Sequence, residues 1–127
     1  MEKLVLQGSP KTPEVEMDGE NGVINLRGRS IPENSIEFFM PLNEWVDQYC
    51  TAPKGETILN VRLEYFNTSS SKCILDLFKK FEKINGIASN VCVKWHFEKD
   101  DEDMEEAGED YRAIVELPFE IVEVEQI

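Results

Sequence analysis

The sequence predicts a single α/β domain with a mixed, mainly central β-sheet flanked by helices. Its 127 residues, 41% of them hydrophobic, suffice for one continuous core. Residues 57–66 alternate apolar and polar side chains, which is the period of a strand with one buried face. A helical repeat separates that segment from a second apolar one, residues 91–97. A strand–helix–strand crossover of this kind makes its two strands parallel.

The first third of the chain is typical of short strands, at residues 4–6, 14–17 and 23–29. Asp-Gly and Asn-Gly pairs fill residues 18–22, between the second and third of these segments, and such pairs favour a hairpin. A hairpin makes its strands antiparallel. Together with the parallel crossover, it predicts a mixed sheet.

A first helix is expected after Asn34, because an N-cap Asn followed three residues later by Glu37 is typical of a helix start. The apolar spacing carries this helix to Cys50, with a bend at Pro41.

Two further helices follow. Residues 69–85 place apolar side chains on one face, and Gly86 is in position to act as the C-cap. Residues 100–111 are acidic with little apolar content, so we expect a solvated helix there, before a last strand within residues 118–124.

The charge of the chain limits the classes of partner. Asp and Glu number 26 against 13 Lys and Arg, giving a formal net charge of −13. Such a surface repels nucleic acid and anionic membranes. We therefore expect a protein partner with a basic or apolar contact patch, and neither a nucleic acid nor a membrane.

The three cysteines favour a reducing compartment. Cys50, Cys73 and Cys92 are odd in number, widely spaced and embedded among apolar residues, which is typical of buried thiols. The N-terminus lacks the apolar region of a signal peptide, and no stretch approaches the roughly 20 apolar residues of a membrane span. A cytoplasmic location is expected.

Hydroxyl side chains are concentrated where the strand of residues 57–66 ends and the next helix begins. In an open α/β sheet, this edge is where ligands and partners usually meet the fold. Asn67 or Thr68 fits the role of a helix cap there. A phosphoryl group would add about −1.5 to −2 charges beside the unpaired N–H groups of the helix, so a regulatory role is compatible with capping.

Other chemistry has less support in the sequence. Cys92 and His96 lie four residues apart on a strand, about 13 Å, which is too far for one zinc ion. A catalytic pair of His96 with Cys73 or Cys92 would need long-range folding and lacks a nucleophile motif. The acidic residues 100–106 do not fit a calcium loop, and they remain a solvated face or an attraction for a basic partner. We expect no metal and no cofactor.

Four segments of the chain, in order, resemble the SiaC family of bacterial regulatory phosphoproteins. They are Gly28-x-Ser30-x-Pro32-Glu33-Asn34, Tyr65-Phe66-Asn67-Thr68-Ser69-Ser70, Trp95-His96-Phe97, and the acidic run that ends in Gly108-Glu109-Asp110-Tyr111. The Asn-Thr-Ser-Ser block is the most distinctive.

The resemblance implies one regulatory domain over residues 1–127, akin to anti-sigma factor antagonists, that is not an enzyme. It implies phosphorylation of Thr68 by a dedicated kinase and dephosphorylation by a PP2C-like phosphatase. The unmodified form is then expected to bind and activate a diguanylate cyclase, raising cyclic di-GMP and promoting biofilm formation, and phosphorylation is expected to prevent that binding.

Two alternatives remain open beside this hypothesis. One is a sigma-factor regulator acting through an anti-sigma kinase, although Asn67 and Ser70 stand where anti-sigma factor antagonists carry Asp and Gly. The other is a small enzyme using the cysteines and His96. In the leading interpretation, Asn67, Ser69 and Ser70 shape the helix start and the fit to a kinase, and Ser69 is the alternative phosphoacceptor.

Overall fold

The strands and helices alternate along the chain and build one sheet. The computed structural model describes residues 1–127. Its strands are β1 (Leu4–Leu6), β2 (Glu14–Asp18), β3 (Val23–Ser30), β4 (Glu56–Phe66), β5 (Asn90–Glu98) and β6 (Phe119–Val124). Its helices are α1 (Ser35–Tyr49), α2 (Thr68–Glu82) and α3 (Glu102–Ile114).

The sheet has six strands in the order of the sequence, β1-β2-β3-β4-β5-β6. β1, β2 and β3 pair antiparallel, whereas β3 to β6 pair parallel. The predicted mixed sheet is therefore confirmed. Since each helix connects two neighbouring parallel strands and the sheet grows in one direction, right-handed crossovers bring α1, α2 and α3 to the same face.

One hydrophobic core lies between that face and the helices. In β4, Leu59, Val61 and Leu63 are buried while Arg62 and Glu64 are exposed, as the alternation predicted. The buried hydrophobic residues form a single cluster of 27. The opposite face of the sheet carries a polar patch that includes Glu16, Asn25 and Arg62.

Helix α1 begins as predicted, because the Asn34 side chain accepts a hydrogen bond from the backbone N–H of Glu37 at 3.0 Å. The helix continues past Pro41 to Tyr49. A bend at Pro41 stays a prediction.

Helix α2 ends earlier than the sequence predicted. Its last residue is Glu82, and Lys83 occupies the C-cap, so Gly86 does not cap the helix. Gly86 adopts φ +79° in the turn that follows, where its N–H donates to the carbonyl of Ser89. Gly86 does adopt the left-handed conformation that glycine favours, but it lies in the connection to β5 and not at the end of the helix.

Helix α3 is not the solvated helix that its composition predicted. Met104, Gly108 and Tyr111 are buried at a spacing of one helical turn, and they form a narrow apolar face. The Trp95 indole N–H of β5 donates to the carbonyl of Met104 at 2.9 Å. Composition alone does not reveal so narrow an apolar face, because its middle residue, Gly108, has no apolar side chain.

None of the three helices combines the length and apolar character that a membrane span requires.

Candidate functional site

Asn67 forms the corner between β4 and α2. Its backbone is extended, and its N–H donates to the carbonyl of Ser30 at 3.0 Å, which continues the pairing of β4 with β3. Its side-chain oxygen accepts from the backbone N–H of Ser70 at 2.9 Å. Asn67, rather than Thr68, is therefore the N-cap, and Thr68 is the first residue of the helix.

The two serines that follow Thr68 connect α2 to other elements. The hydroxyl oxygens of Ser69 and Ser35, the first residue of α1, are 2.6 Å apart. Ser70 is fully buried; its hydroxyl donates to the Ser30 carbonyl at 3.0 Å and accepts from the Ser30 hydroxyl at 2.8 Å. The start of α2 is thus bonded to α1 and β3.

Ser71 connects the same turn to α3. The Tyr111 hydroxyl donates to the Ser71 carbonyl at 2.8 Å, and the hydroxyl oxygens of the two residues are 3.0 Å apart. Burial raises the pKa of Tyr111 to about 12, and the hydrogen bond with Ser71 opposes this only in part. The phenol is neutral over the physiological range and available as a donor.

Thr68 differs from the three serines. Its side chain is exposed and takes part in none of the side-chain hydrogen bonds of the structure. As the first residue of α2, it lies beside backbone N–H groups that have no partner within the helix. Of the four consecutive hydroxyls, Thr68 carries the one that is both exposed and unbonded.

Thr68 also lies at a groove between α2 and α3. The residues that line this α2–α3 groove are Phe66, Thr68, Ser71, Lys72, Leu75, Ala107, Asp110, Tyr111 and Ile114. Most of them are apolar or aromatic. A group added to Thr68 would project into the mouth of this groove.

Two charged side chains border the groove. Lys72 lies one helical turn after Thr68, is exposed and forms no ion pair. Asp110 belongs to α3, whose surface is strongly acidic. A phosphate on Thr68 would have Lys72 as its nearest cation along the helix, at the i, i+4 spacing that brings side chains together.

The structure does not bring the cysteines and His96 together. Cys73 lies in the core on α2, whereas His96 alternates with the core residue Trp95 and so points to the other face of the sheet. Cys92 shares that face with His96 but keeps the four-residue separation along β5.

The electrostatics of these groups also disfavour a nucleophile. Burial raises the pKa of Cys50, Cys73 and Cys92, which disfavours their thiolates, and the three cysteines are free. Burial, followed by the charge of Arg62, lowers the pKa of His96. The His96 ring hydrogen-bonds the Val61 carbonyl at 3.3 Å. The burial of the thiols and of the imidazole therefore favours their uncharged forms.

The acidic residues 100–106 include the N-cap of α3, since the Asp101 side chain accepts from the N–H of Met104 at 3.1 Å. No group of three or more His, Cys, Asp or Glu side chains has the arrangement needed to hold a metal ion. The remaining carboxylates of this segment are exposed.

Sequence reasoning missed the partners of the serines. Ser30, Ser35, Ser71 and Tyr111 were not among the candidate residues, although each bonds the first turn of α2 or belongs to it. A signal was present, because Ser30 and Tyr111 lie within the segments that carried the family resemblance.

The chain is similar to known proteins over almost its whole length. The family model described as SiaC family regulatory phosphoprotein matches residues 6–124. An uncharacterised protein of Pseudomonas aeruginosa strain UCBPP-PA14 is 31% identical over 121 residues, which are 95% of this chain and 96% of that protein.

Two solved structures share the fold. SiaC of Pseudomonas aeruginosa superposes with a TM-score of 0.89 at 30% identity, covering 98% of this chain and 100% of the other. The crystal structure of the diguanylate cyclase SiaD in complex with its activator SiaC, from the same organism, gives 0.88 at 31% identity over 95% and 99% of the chains. With the family match, these likenesses show that the chain belongs to the SiaC family of regulatory phosphoproteins.

Proposed function

We propose that this chain is a regulatory binding protein, without catalytic activity of its own, that is controlled by phosphorylation of Thr68. The unmodified protein binds and activates a diguanylate cyclase, a dedicated kinase phosphorylates Thr68, and a PP2C-like phosphatase removes the phosphate. The complex of SiaC with SiaD in Pseudomonas aeruginosa supports the cyclase as partner.

One observation carries the choice of Thr68. In the run from Thr68 to Ser71, the three serine hydroxyls bond α1, β3 and α3, whereas the Thr68 hydroxyl is exposed and unbonded. A kinase can reach this hydroxyl without breaking a contact of the fold. Modification of Ser70 would have to introduce a dianion into the core, which is strongly unfavourable.

Phosphorylation at Thr68 is compatible with an intact α2. The phosphate would carry about −1.5 to −2 charges next to the free N–H groups at the helix start, where negative charge is stabilising. Lys72, one turn along, would add an ion pair. The fold therefore accepts the modification, while the outer surface changes from a small hydroxyl to a bulky, hydrated dianion.

Binding to the cyclase is the direct test. The unmodified chain and a stoichiometrically phosphorylated sample are titrated against Pseudomonas aeruginosa SiaD by calorimetry, and cyclic di-GMP synthesis is measured in parallel. We expect the unmodified protein to bind and activate, and the phosphorylated protein to do neither. Thr68→Ala should preserve binding and Thr68→Asp should weaken it. Equal affinity of the two variants, or no binding by the unmodified chain, would overturn the proposal.

The phosphoacceptor is tested separately by intact mass and site mapping after incubation with ATP and the cognate kinase. Thr68→Ala should abolish the mass shift and Ser69→Ala should retain it. A shift that persists in Thr68→Ala and maps to Ser69 would make Ser69 the acceptor.

A further inference from the structure

The α2–α3 groove exposes apolar surface that the fold itself does not cover. Ile114 at the end of α3 is 55% exposed, and Leu75 and Ala107 are only partly buried. Phe66 and Tyr111 complete the apolar lining. A groove between two helices, with an apolar floor, has the shape that accepts one face of an amphipathic segment.

The rim of this groove is predominantly negative. On α3, Asp110 lines the groove, and Asp103 and Glu106 precede it at intervals of three and four residues, so that they lie on the same side of the helix. On α2, Lys72 is the one unpaired cation that lines the groove, and Lys79 is engaged by Glu82 at 3.4 Å. A segment that fills the groove therefore meets more carboxylates than cations.

We propose that the α2–α3 groove is the docking site for a cationic amphipathic segment of the effector, in which an apolar stripe is flanked by Lys or Arg. The inference rests on the proposed function, because Thr68 lines the same groove. The apolar stripe covers Leu75, Ala107 and Ile114, and the basic flank faces the carboxylates of α3.

The position of Thr68 explains why phosphorylation would block a basic segment, although the negative phosphate and the basic segment attract each other. At long range, water screens the attraction between a dianion and a basic segment to about 1 kcal/mol or less per charge pair. At contact, the phosphate occupies the groove mouth and would have to lose its hydration beneath the apolar stripe, which costs several kcal/mol, and attraction offsets this cost only where a basic side chain meets the phosphate in excellent hydrogen-bonding geometry. Exclusion by size and desolvation therefore outweighs the attraction.

Three exposed isoleucines allow a matched test. Ile114 lies in the groove, Ile87 (86% exposed) lies in the α2–β5 connection, and Ile36 (75% exposed) lies on the outer side of α1. Each is replaced by Ser in the full-length, unphosphorylated protein, and affinity for SiaD is measured by calorimetry. We expect Ile114→Ser to weaken binding by about tenfold or more and the other two to stay within about twofold of the parent.

The charge of the occupant is tested in the same assay. Asp110→Lys should weaken SiaD binding by about tenfold. Glu20→Lys, in the β2–β3 turn, changes the net charge by the same amount away from the groove and should have little effect on binding. Hydrogen exchange of SiaD, with and without this protein, then identifies the protected segment. We expect that segment to combine an apolar stripe with Lys or Arg.

The outcomes separate the two proposals. If the parent protein binds SiaD but Ile114→Ser binds equally well, or if Ile36→Ser is the damaging change, the groove is not the docking site and the proposed function stands. An acidic protected segment overturns the predicted chemistry of the occupant. If the parent protein does not bind SiaD at all, the cyclase partnership itself is wrong.

Discussion

The four consecutive hydroxyl residues that begin α2 differ in their hydrogen bonding. Ser69 and Ser70 bond the neighbouring elements α1 and β3, and Ser71 bonds α3. Thr68 is left without a structural bond. A run of similar side chains thus separates into three that fix the position of the helix and one that is exposed and unbonded.

The buried Ser30–Ser70 pair gives a prediction at this scale. Ser70→Ala leaves the buried Ser30 hydroxyl without the acceptor it has in the parent protein, so we expect the free energy of unfolding to fall by about 1–3 kcal/mol. Thr68→Ala removes an exposed hydroxyl and should change it by less than about 0.5 kcal/mol. Urea denaturation measures both.

The double variant Ser30→Ala/Ser70→Ala is the control for this explanation. Removing both hydroxyls abolishes the unsatisfied donor, so the double variant should be less destabilised than the two single changes together. Strict additivity of the single effects would show that the pair does not interact.

His96 predicts a pH dependence of stability. Burial and the charges of Arg62 and Lys94 lower its pKa in the folded protein below the ordinary 6.5. The unfolded chain then binds more protons at mildly acidic pH, so the free energy of unfolding should fall as pH drops below about 6.5. Above that pH, both states carry neutral histidine and the effect vanishes.

His96→Gln removes this titration and serves as the comparison. Urea denaturation of both proteins between about pH 7.5 and pH 5.5 should show a smaller loss of stability in the variant. The carboxylates are common to both proteins, so their contribution cancels in the comparison. An equal or steeper loss in His96→Gln would contradict the assignment.

At the scale of whole elements, α3 is attached to the sheet through Gly108. A Cβ added at this residue would lie 2.5 Å from Trp95 Cδ1, and the indole is fully buried. The same indole donates to the Met104 carbonyl, so the ring is held on two sides. The absence of a side chain at Gly108 sets how closely α3 approaches β5.

Gly108→Ala therefore has two opposing effects on stability: alanine favours the helix, but its Cβ clashes with Trp95. In an exposed helix interior, Gly to Ala stabilises by about 1 kcal/mol. Here the clash with Trp95 is expected to dominate, with a net loss of about 1–2 kcal/mol in urea denaturation. The control is Gly55→Ala, where an added Cβ meets nothing within 4 Å. Stabilisation by Gly108→Ala would show that α3 can move away from the sheet.

The elements also show what the sequence can and cannot predict. β4 and α2 were predicted because their apolar residues repeat at the period of a strand and of a helix over a long segment. The buried face of α3 was missed because it consists of one methionine, one glycine and one tyrosine. The partners of the serines were missed because hydrogen bonds between distant residues, such as Ser71 with Tyr111, leave no local pattern.

At the scale of the molecule, the sheet order explains where the site lies. Because β3 to β6 are parallel and adjacent in sequence order, α2 and α3 both begin at the edge formed by the carboxyl ends of β4 and β5. That edge carries Thr68 and the groove. At the other end of β4, a buried hydroxyl chain of Tyr49, Thr57 and Ser89 joins α1 to the sheet, with oxygen separations of 2.8 and 2.7 Å. Thr68 and this hydroxyl chain therefore lie at opposite ends of β4.

The excess of negative charge predicts opposite effects of salt on stability and on binding. With a net charge of −13 and few ion pairs, most carboxylates repel one another in the folded state. Raising NaCl from about 0.02 to 0.3 M screens this repulsion, so the melting temperature should rise. Affinity for a cationic effector segment should fall over the same range, because the same screening weakens the attraction to α3. Scanning calorimetry and binding calorimetry in identical buffers measure the two trends. A melting temperature that falls with salt would mean that the ion pairs outweigh the repulsion, and an affinity that rises with salt would rule out a basic occupant.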